Sequence, residues 1–208
     1  MSHPSEFPAS AAALPSEVRR NLLEAAARLL REEGPSALSA RRLAAEASTS
    51  TMAVYTQFGG MPALVREVVA EGFSQLRQRL ATVEHTDDPL EDLVRLCRAY
   101  RANALEYPHL YAVMFGGATL GGYRLSHEDM DVGRDTFTAL ADALDRVMCA
   151  GVIRRENPRH LAGQCWSALH GFVMLEIAGI YRAGDGATEL VLDPLLSRLL
   201  AVPVTIGR

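Results

Sequence analysis

SARRLAAEASTSTMAVYTQF, Ser39 to Phe58, is the stretch from which the rest of the chain can be read. It divides into two short helices joined by a tight turn. The first is expected from about Ser39 to Glu46, with Leu43 and Ala44 on its inner face. The second is expected from about Thr51 to Gln57, with Val54 and Phe58 one turn apart at i, i+4. Ser39 and Ser50 stand where each helix needs an N-cap, because a serine hydroxyl accepts an orphan backbone N–H there. Two helices this short bury little alone, and Glu17 to Glu33 supplies a third just upstream. A helix-turn-helix braced in this way presents its second helix to the major groove of DNA. The expectation is a DNA-binding regulator.

Working upstream, Val18, Leu22, Ala26, Leu29 and Leu30 give helix one an apolar face. Gly34-Pro35 stops it, glycine suiting a left-handed C-terminal cap and proline being unable to continue the helix. The first residues, MSHPSEFPASAAALP, lack a basic start and a continuous apolar run; residues 1–14 are expected to be a flexible tail and not a signal peptide. Downstream, Gly59-Gly60 ends the second motif helix and Pro62 opens a long one through Leu64, Val65, Val68, Val69, Phe73, Leu76 and Leu80. That helix joins the head to a body. Pro89 opens the next, with Asp88, Glu91 and Asp92 at its positive end and Leu93, Leu96, Cys97, Tyr100, Ala104 and Leu105 on its apolar face.

After Pro108 a short helix reaches Phe115, and GGATLGG, Gly116 to Gly122, follows as the least structured interior stretch. Helical period returns from about His127 to Ala150, again from about Pro158 to Arg182, and in a last helix carrying Leu190, Leu195, Leu196, Leu199 and Leu200. No strand-like alternation is present, so the fold is expected to be all-α, with a head over 15–61 and a body over 62–208.

Composition narrows the function. Of the 208 residues 49% are apolar, the net charge is −4, and every basic residue is arginine. From Met1 to Phe58 six arginines (19, 20, 28, 31, 41, 42) face six glutamates (6, 17, 24, 32, 33, 46), so DNA affinity must come from a few placed contacts doubled by dimerisation and not from a broad basic field. No apolar run spans a bilayer, and a cytoplasmic, nucleoid-associated protein is expected. Cys97, Cys149 and Cys165 are too scattered for a disulfide framework or zinc site and are expected to be buried thiols. HEDMD, His127 to Asp131, follows too closely along one helix to converge on a metal. GxSxG, HExxH and phosphate-loop patterns are absent, so neither enzyme activity nor a cofactor is expected.

The segment from about Arg20 to Leu64 resembles the tetracycline-repressor (TetR) family of bacterial transcription regulators. The resemblance rests on LLEAAARLLREEG, LSARRLAAEA and STMAVYTQF, with Tyr55 and Phe58 in place, followed by Ala63-Leu64. Trp166, His170 and Gly171 in CWSALHGFVMLEIAG resemble the Trp-His-Gly signature of one ligand-domain subclass. The chain departs from the pattern at Ser48 (usually Gly), Thr49 (usually Val) and Met61 (usually basic); Ser48 must then tolerate a left-handed turn. The resemblance implies that Arg41 reaches a base edge or phosphate, and that Thr51, Met52, Tyr55, Thr56 and Gln57 lie near the groove. Tyr55 and Thr56 can donate to phosphates, Met52 and Ala53 can touch a thymine methyl, and Gln57 can pair with adenine. Ser39 and Ser50 can offer hydroxyls or capped N–H groups to the backbone.

Trp166 and His170 share a helical face and, with Tyr100, Met114, Phe137 and Met174, describe either a cavity for an apolar or aromatic effector or an ordinary core. The resemblance further implies a homodimer through the last two long helices, a palindromic DNA operator, and repression relieved by a small molecule. The rival readings are a helical small-molecule-binding protein or enzyme with a vestigial head, and a protein-binding adaptor.

Overall fold

The computed structural model describes residues 16–115, 133–182 and 184–207, and all regular structure among them is helical. The order is α1 (Glu17–Glu33), a 3₁₀ turn (Pro35–Ala37), α2 (Ala40–Glu46), α3 (Thr51–Phe58), α4 (Met61–Ala81), α5 (Pro89–Glu106), α6 (Pro108–Met114), α7 (Arg134–Cys149), α8 (Pro158–Ile177), a π turn (Thr188–Leu192) and α9 (Asp193–Leu200). The expected tail over 1–14, the glycine-rich stretch, the acidic cluster at 127–131 and the beginning of the helix expected from His127 lie outside the described residues.

The head closes on Leu22, Ala26, Leu29 and Leu30 from α1, Leu43 and Ala44 from α2, Val54 and Phe58 from α3, and Leu64, Val65 and Val68 from α4. Its caps are local chemistry. The Ser39 side chain accepts the Arg42 N–H at 3.3 Å, and that of Ser50 accepts the Ala53 N–H at 3.3 Å. Ser48 has φ 51°, the left-handed turn expected of it, and Thr49 N–H closes the turn on Ala44 O at 2.8 Å. A side chain in this conformation costs about 1–2 kcal/mol relative to glycine. In the body α5, α7 and α8 pack together beside α4, and α6 wedges between α1 and α4. A Cβ added to Gly72 would lie 2.7 Å from Met114 Sδ, so glycine sets how closely α4 and α6 approach.

Several details differ from expectation. Gly34 has φ 82° but ψ −177°, not a left-handed cap, because Pro35 forces the preceding residue to be extended. α8 stops at Ile177 and not near Arg182: Gly179 takes φ 73° and Ile180 N–H returns to Leu175 O at 2.9 Å. The last helix is broken into a π turn and α9, because the Pro194 ring needs room where the Leu190 carbonyl of a regular helix would stand. Val18 and Leu105, at helix ends beyond the packed faces, are exposed. Cys97 and Cys165 are buried, but Cys149, at the end of α7, is exposed beside Arg155.

Asp92 is more than a helix-dipole partner. It is only 3% exposed and joins the α4–α5 loop to α7. Its carboxylate accepts Thr86 N–H at 2.8 Å, the Thr86 hydroxyl at 2.7 Å, Arg146 Nη1 at 3.0 Å, and Arg95. The side chains gripping it hide it, not depth, since both arginines are about a third exposed. Burial alone raises its pKa, but the hydrogen bonds from Thr86, Arg95 and Arg146 outweigh burial and hold it well below the usual carboxylate range. A depressed folded pKa contributes stability that is complete above the unfolded value of about 3.9 and lost as pH falls through the folded one. Asp92→Asn is expected to lower stability at neutral pH by about 1.5–3 kcal/mol. The gap from wild type in urea melts should shrink steadily as the pH is taken from about 5 to 2; a gap independent of pH would deny Asp92 this role.

Candidate nucleic-acid interface and ligand cavity

The outer face of α2 and α3 carries Ser39, Arg41, Ser50, Thr51, Met52, Tyr55 and Thr56, all exposed, Met52 to 69% and Tyr55 to 55%. Ala53 and Gln57 are half-buried. Two polar groups on this face are partly committed. The Thr56 hydroxyl donates to Met52 O at 3.0 Å, and Gln57 Oε1 accepts the Ser16 hydroxyl at 2.6 Å, which leaves the Gln57 amide nitrogen.

The arginines sort themselves by partner. Arg28 holds Glu46 at 2.6 Å, Arg42 holds Glu33 at 2.6 Å, and Arg20 lies 3.7 Å from Glu24. Arg19 donates to Glu67 and to the Gln57 carbonyl, with its guanidinium 4.3 Å over the Phe58 ring. It therefore pins the negative end of α3 to α1 and α4. Among the described residues of the head, Arg31 and Arg41 have no acidic partner, and only Arg41 lies on the α2–α3 face. Counting charges along the chain hid this, because pairing depends on which helices meet.

In the body a cavity of about 180 Å³ is walled by Phe73 and Leu80 of α4, Leu96, Cys97 and Tyr100 of α5, Phe115, Gly133, Arg134, Thr136, Phe137 and Leu140 at the start of α7, and Trp166 and Leu169 of α8. Of the residues expected to gather here, Tyr100, Phe137 and Trp166 do line it. His170 sits behind the wall, Met114 is buried against Gly72 between α4 and α6, and Met174 is half-buried a turn beyond His170; none of these three lines the cavity. Phe73 and Phe115 were missing from that set. Their rings meet edge to face at 5.5 Å, and Phe115 reaches His170 at 4.7 Å and Trp166 at 5.8 Å. Helical period had put Phe73 on an inner face, but period cannot separate a cavity wall from solid core.

A hydrogen-bonded chain backs the wall. Trp166 Nε1 is 3.0 Å from Tyr100 Oη, Tyr100 Oη is 2.6 Å from Tyr111 Oη, and Tyr111 Oη is 2.6 Å from His170 Nδ1. An indole N–H can only donate. A consistent direction then runs Trp166 to Tyr100 to Tyr111 to His170, with His170 Nδ1 the acceptor. Burial lowers the His170 pKa, which favours the neutral ring this direction needs. Burial also pushes the Tyr100 phenol up to about 12, partly offset by its hydrogen bonds, and raises Tyr111. All three are neutral near pH 7. Tyr111 was not singled out from the sequence; its position four before Phe115 was the available signal.

Residues 93–199 match the family model described as tetracyclin repressor-like, C-terminal domain, and residues 22–68 match that described as bacterial regulatory proteins, tetR family. An uncharacterized HTH-type transcriptional regulator of Mycobacterium tuberculosis is 28% identical over 186 residues, 88% of this chain and 80% of that protein. A protein of unknown function from Rhodococcus sp. RHA1 superposes with TM-score 0.74 at 23% identity, over 95% of this chain and 100% of that one. AibR in complex with isovaleryl coenzyme A and operator DNA superposes with TM-score 0.62 at 20% identity, over 88% of this chain and 98% of that one.

Proposed function

Because this chain belongs to the TetR family of bacterial transcription regulators, we propose that it is a homodimeric repressor whose head, residues 15–61, reads a palindromic operator and whose body, residues 62–208, binds a small effector that releases it. The observation carrying this reading is the outer face of α2 and α3. Met52 and Tyr55 stand exposed there beside Arg41, whose guanidinium is uncommitted while its neighbours are paired. The place of action would be the bacterial cytoplasm; no helix among the described residues is long and apolar enough to cross a membrane.

The dimer surface is proposed on α8 and α9. His160, Gln164, Ser167, Gly171, Leu175 and Ala178 recur every three or four residues as an exposed stripe along α8 and its C-cap with no Asp, Glu or Arg. Exposed Leu190, Val191 and Leu195 extend it, Leu190 to 74%. An uncharged stripe continued by exposed aliphatic side chains suits an interface. Two heads related by a two-fold axis would meet half-sites about 34–36 Å apart.

Cavity size limits the effector. An apolar cavity of about 150 Å³ holds benzene, so this one suits a single ring or a short branched chain. AibR, solved with isovaleryl coenzyme A, lends support only through the ligand's compact branched acyl group, since the whole molecule exceeds such a space. The chain from Trp166 to His170 ties both phenols and His170 Nδ1 to one another, so it is assigned to the wall and not to catalysis. α7 offers a route outward. Phe137 and Leu140 line the cavity, Asp135 on the same helix pairs with Arg77 of α4 at 3.4 Å, and Arg146 grips Asp92 of α5 and the Thr86 carbonyl of the α4–α5 loop. A ligand that displaces α7 would turn α4 and change the spacing of the heads, by no more than its differential affinity for the two states.

The test is a gel shift with genomic fragments, using a protein verified as a dimer by sedimentation. Retarded fragments at low salt, released by toluene or indole, are expected. Gly171→Arg should give a folded monomer that retards none, since an added side chain there meets nothing within 4 Å in the protomer. No retarded fragment from the verified dimer would count decisively against this reading, and a dimeric Gly171→Arg would move the interface elsewhere.

A further inference from the structure

We propose a second ligand site, in the groove between α1, α4 and the α5–α6 corner, for a compact molecule bearing a carboxylate or phosphate oxyanion. The groove is open to solvent, with a volume of about 410 Å³, and its polar lining includes Arg31, Gln78, Arg79, Asn103 and Tyr107. It is separate from the aromatic cavity, with which it shares no lining residue.

Asn103 carries the inference. It lies in α5, is only 4% exposed, and lines this groove. Among the described residues its side-chain amide has no hydrogen bond; its backbone carbonyl alone is used, by Tyr107 N–H at 3.1 Å. Neither polar atom of the amide is sealed from solvent, so both are open to a molecule in the groove. An amide aimed into a polar groove is matched when something there supplies an acceptor.

The charges choose the sign of that acceptor. Arg79 donates to Glu106, so Glu106 balances Arg79. Arg31, at the C-terminal turn of α1, has no acidic partner among the described residues, so of the two charged lining residues it is the one left for a ligand. Gln75 is occupied with Glu71 at 3.2 Å, while the Gln78 amide adds a further donor. A guanidinium facing amide donors recognises an oxyanion.

The site spans the joint of the molecule. Arg31 belongs to the head, Asn103 and Tyr107 to the body, and Gln78 and Arg79 to the helix between them. An oxyanion held by Arg31 and Asn103 together would tie α1 to α5 and favour one head angle.

The test is titration calorimetry on the full-length dimer without DNA, at constant ionic strength in chloride, with inorganic phosphate and with succinate as separate probes. One probe should saturate one site per protomer. Arg31→Gln and Asn103→Leu should each weaken it at least tenfold, leaving toluene binding read on Trp166 unchanged. Saturation by phosphate alone or by succinate alone identifies the oxyanion, and either supports the site. Absence of saturation by about 10 mM overturns it, as does an affinity unaltered in both variants. Since neither DNA nor the aromatic cavity is involved, failure here leaves the operator reading standing, and failure of the operator reading leaves this measurement valid.

Discussion

Arg41→Ala is expected to lower operator affinity by about 2–6 kcal/mol, from about thirtyfold to about twenty-thousandfold, with the melting temperature unchanged. A guanidinium paired with guanine O6 and N7 contributes about 1–3 kcal/mol, and a symmetric dimer makes the contact twice. The unchanged melting temperature follows from the fold. Arg41 is exposed and makes no ion pair among the described residues, and substitutions of that kind alter stability by about 0.5 kcal/mol or less. Its neighbour is the control. Arg42→Ala breaks the 2.6 Å pair with Glu33 and should cost a little stability and little affinity. Anisotropy with labelled operator, beside thermal melts, separates the two. If Arg41 reaches a phosphate instead, the loss should be uniform across sequences and the salt slope should fall by about 1 per head. An affinity equal to wild type would remove Arg41 from the reading face.

Phe73→Ala is expected to cost about 3–5 kcal/mol and to widen the range of effectors. Phe73 is 1% exposed on α4, and its ring forms part of the cavity wall, edge to face with Phe115. Truncation adds the volume of a ring to the existing space of about 180 Å³, whose walls belong to four helices and cannot all close in. Domains of this kind have a total stability of about 5–15 kcal/mol, so the variant should remain folded but melt early. A two-ring probe such as naphthalene should bind it better than wild type and restore part of the lost stability, because a ligand of the native state adds RT ln(1 + [L]/Kd). The single tryptophan, Trp166, stands in the same wall and reports the titration by its emission. Equal stability, or naphthalene binding equally well to both proteins, would refute the cavity as the effector site.

The head was readable because its rules are short-range. Ser39 and Ser50 cap backbone N–H groups three residues on, Leu43 and Val54 turn inward by helical period, and Ser48 takes the left-handed turn that two helices so close together demand. The end of α8 obeyed an equally local rule that was overlooked: Gly179 followed by apolar Ile180 is a stop signal. The candidate cavity was only half readable. Tyr100, Phe137 and Trp166 line it, whereas Met114 and Met174 share the same character and lie elsewhere.

By itself the sequence determined that the chain is helical, where most of its helices begin, and which residues α2 and α3 turn outward, since caps and period act within about four residues. Only the tertiary structure decided which arginine stays unpaired, which aromatic rings bound an empty space, and that Asp92 is a buried tie and not a surface charge. Those outcomes depend on groups far apart in the chain, such as Tyr111 and His170 at 59 positions and Tyr100 and Trp166 at 66. No local pattern carries the distance between such residues, because packing alone sets it.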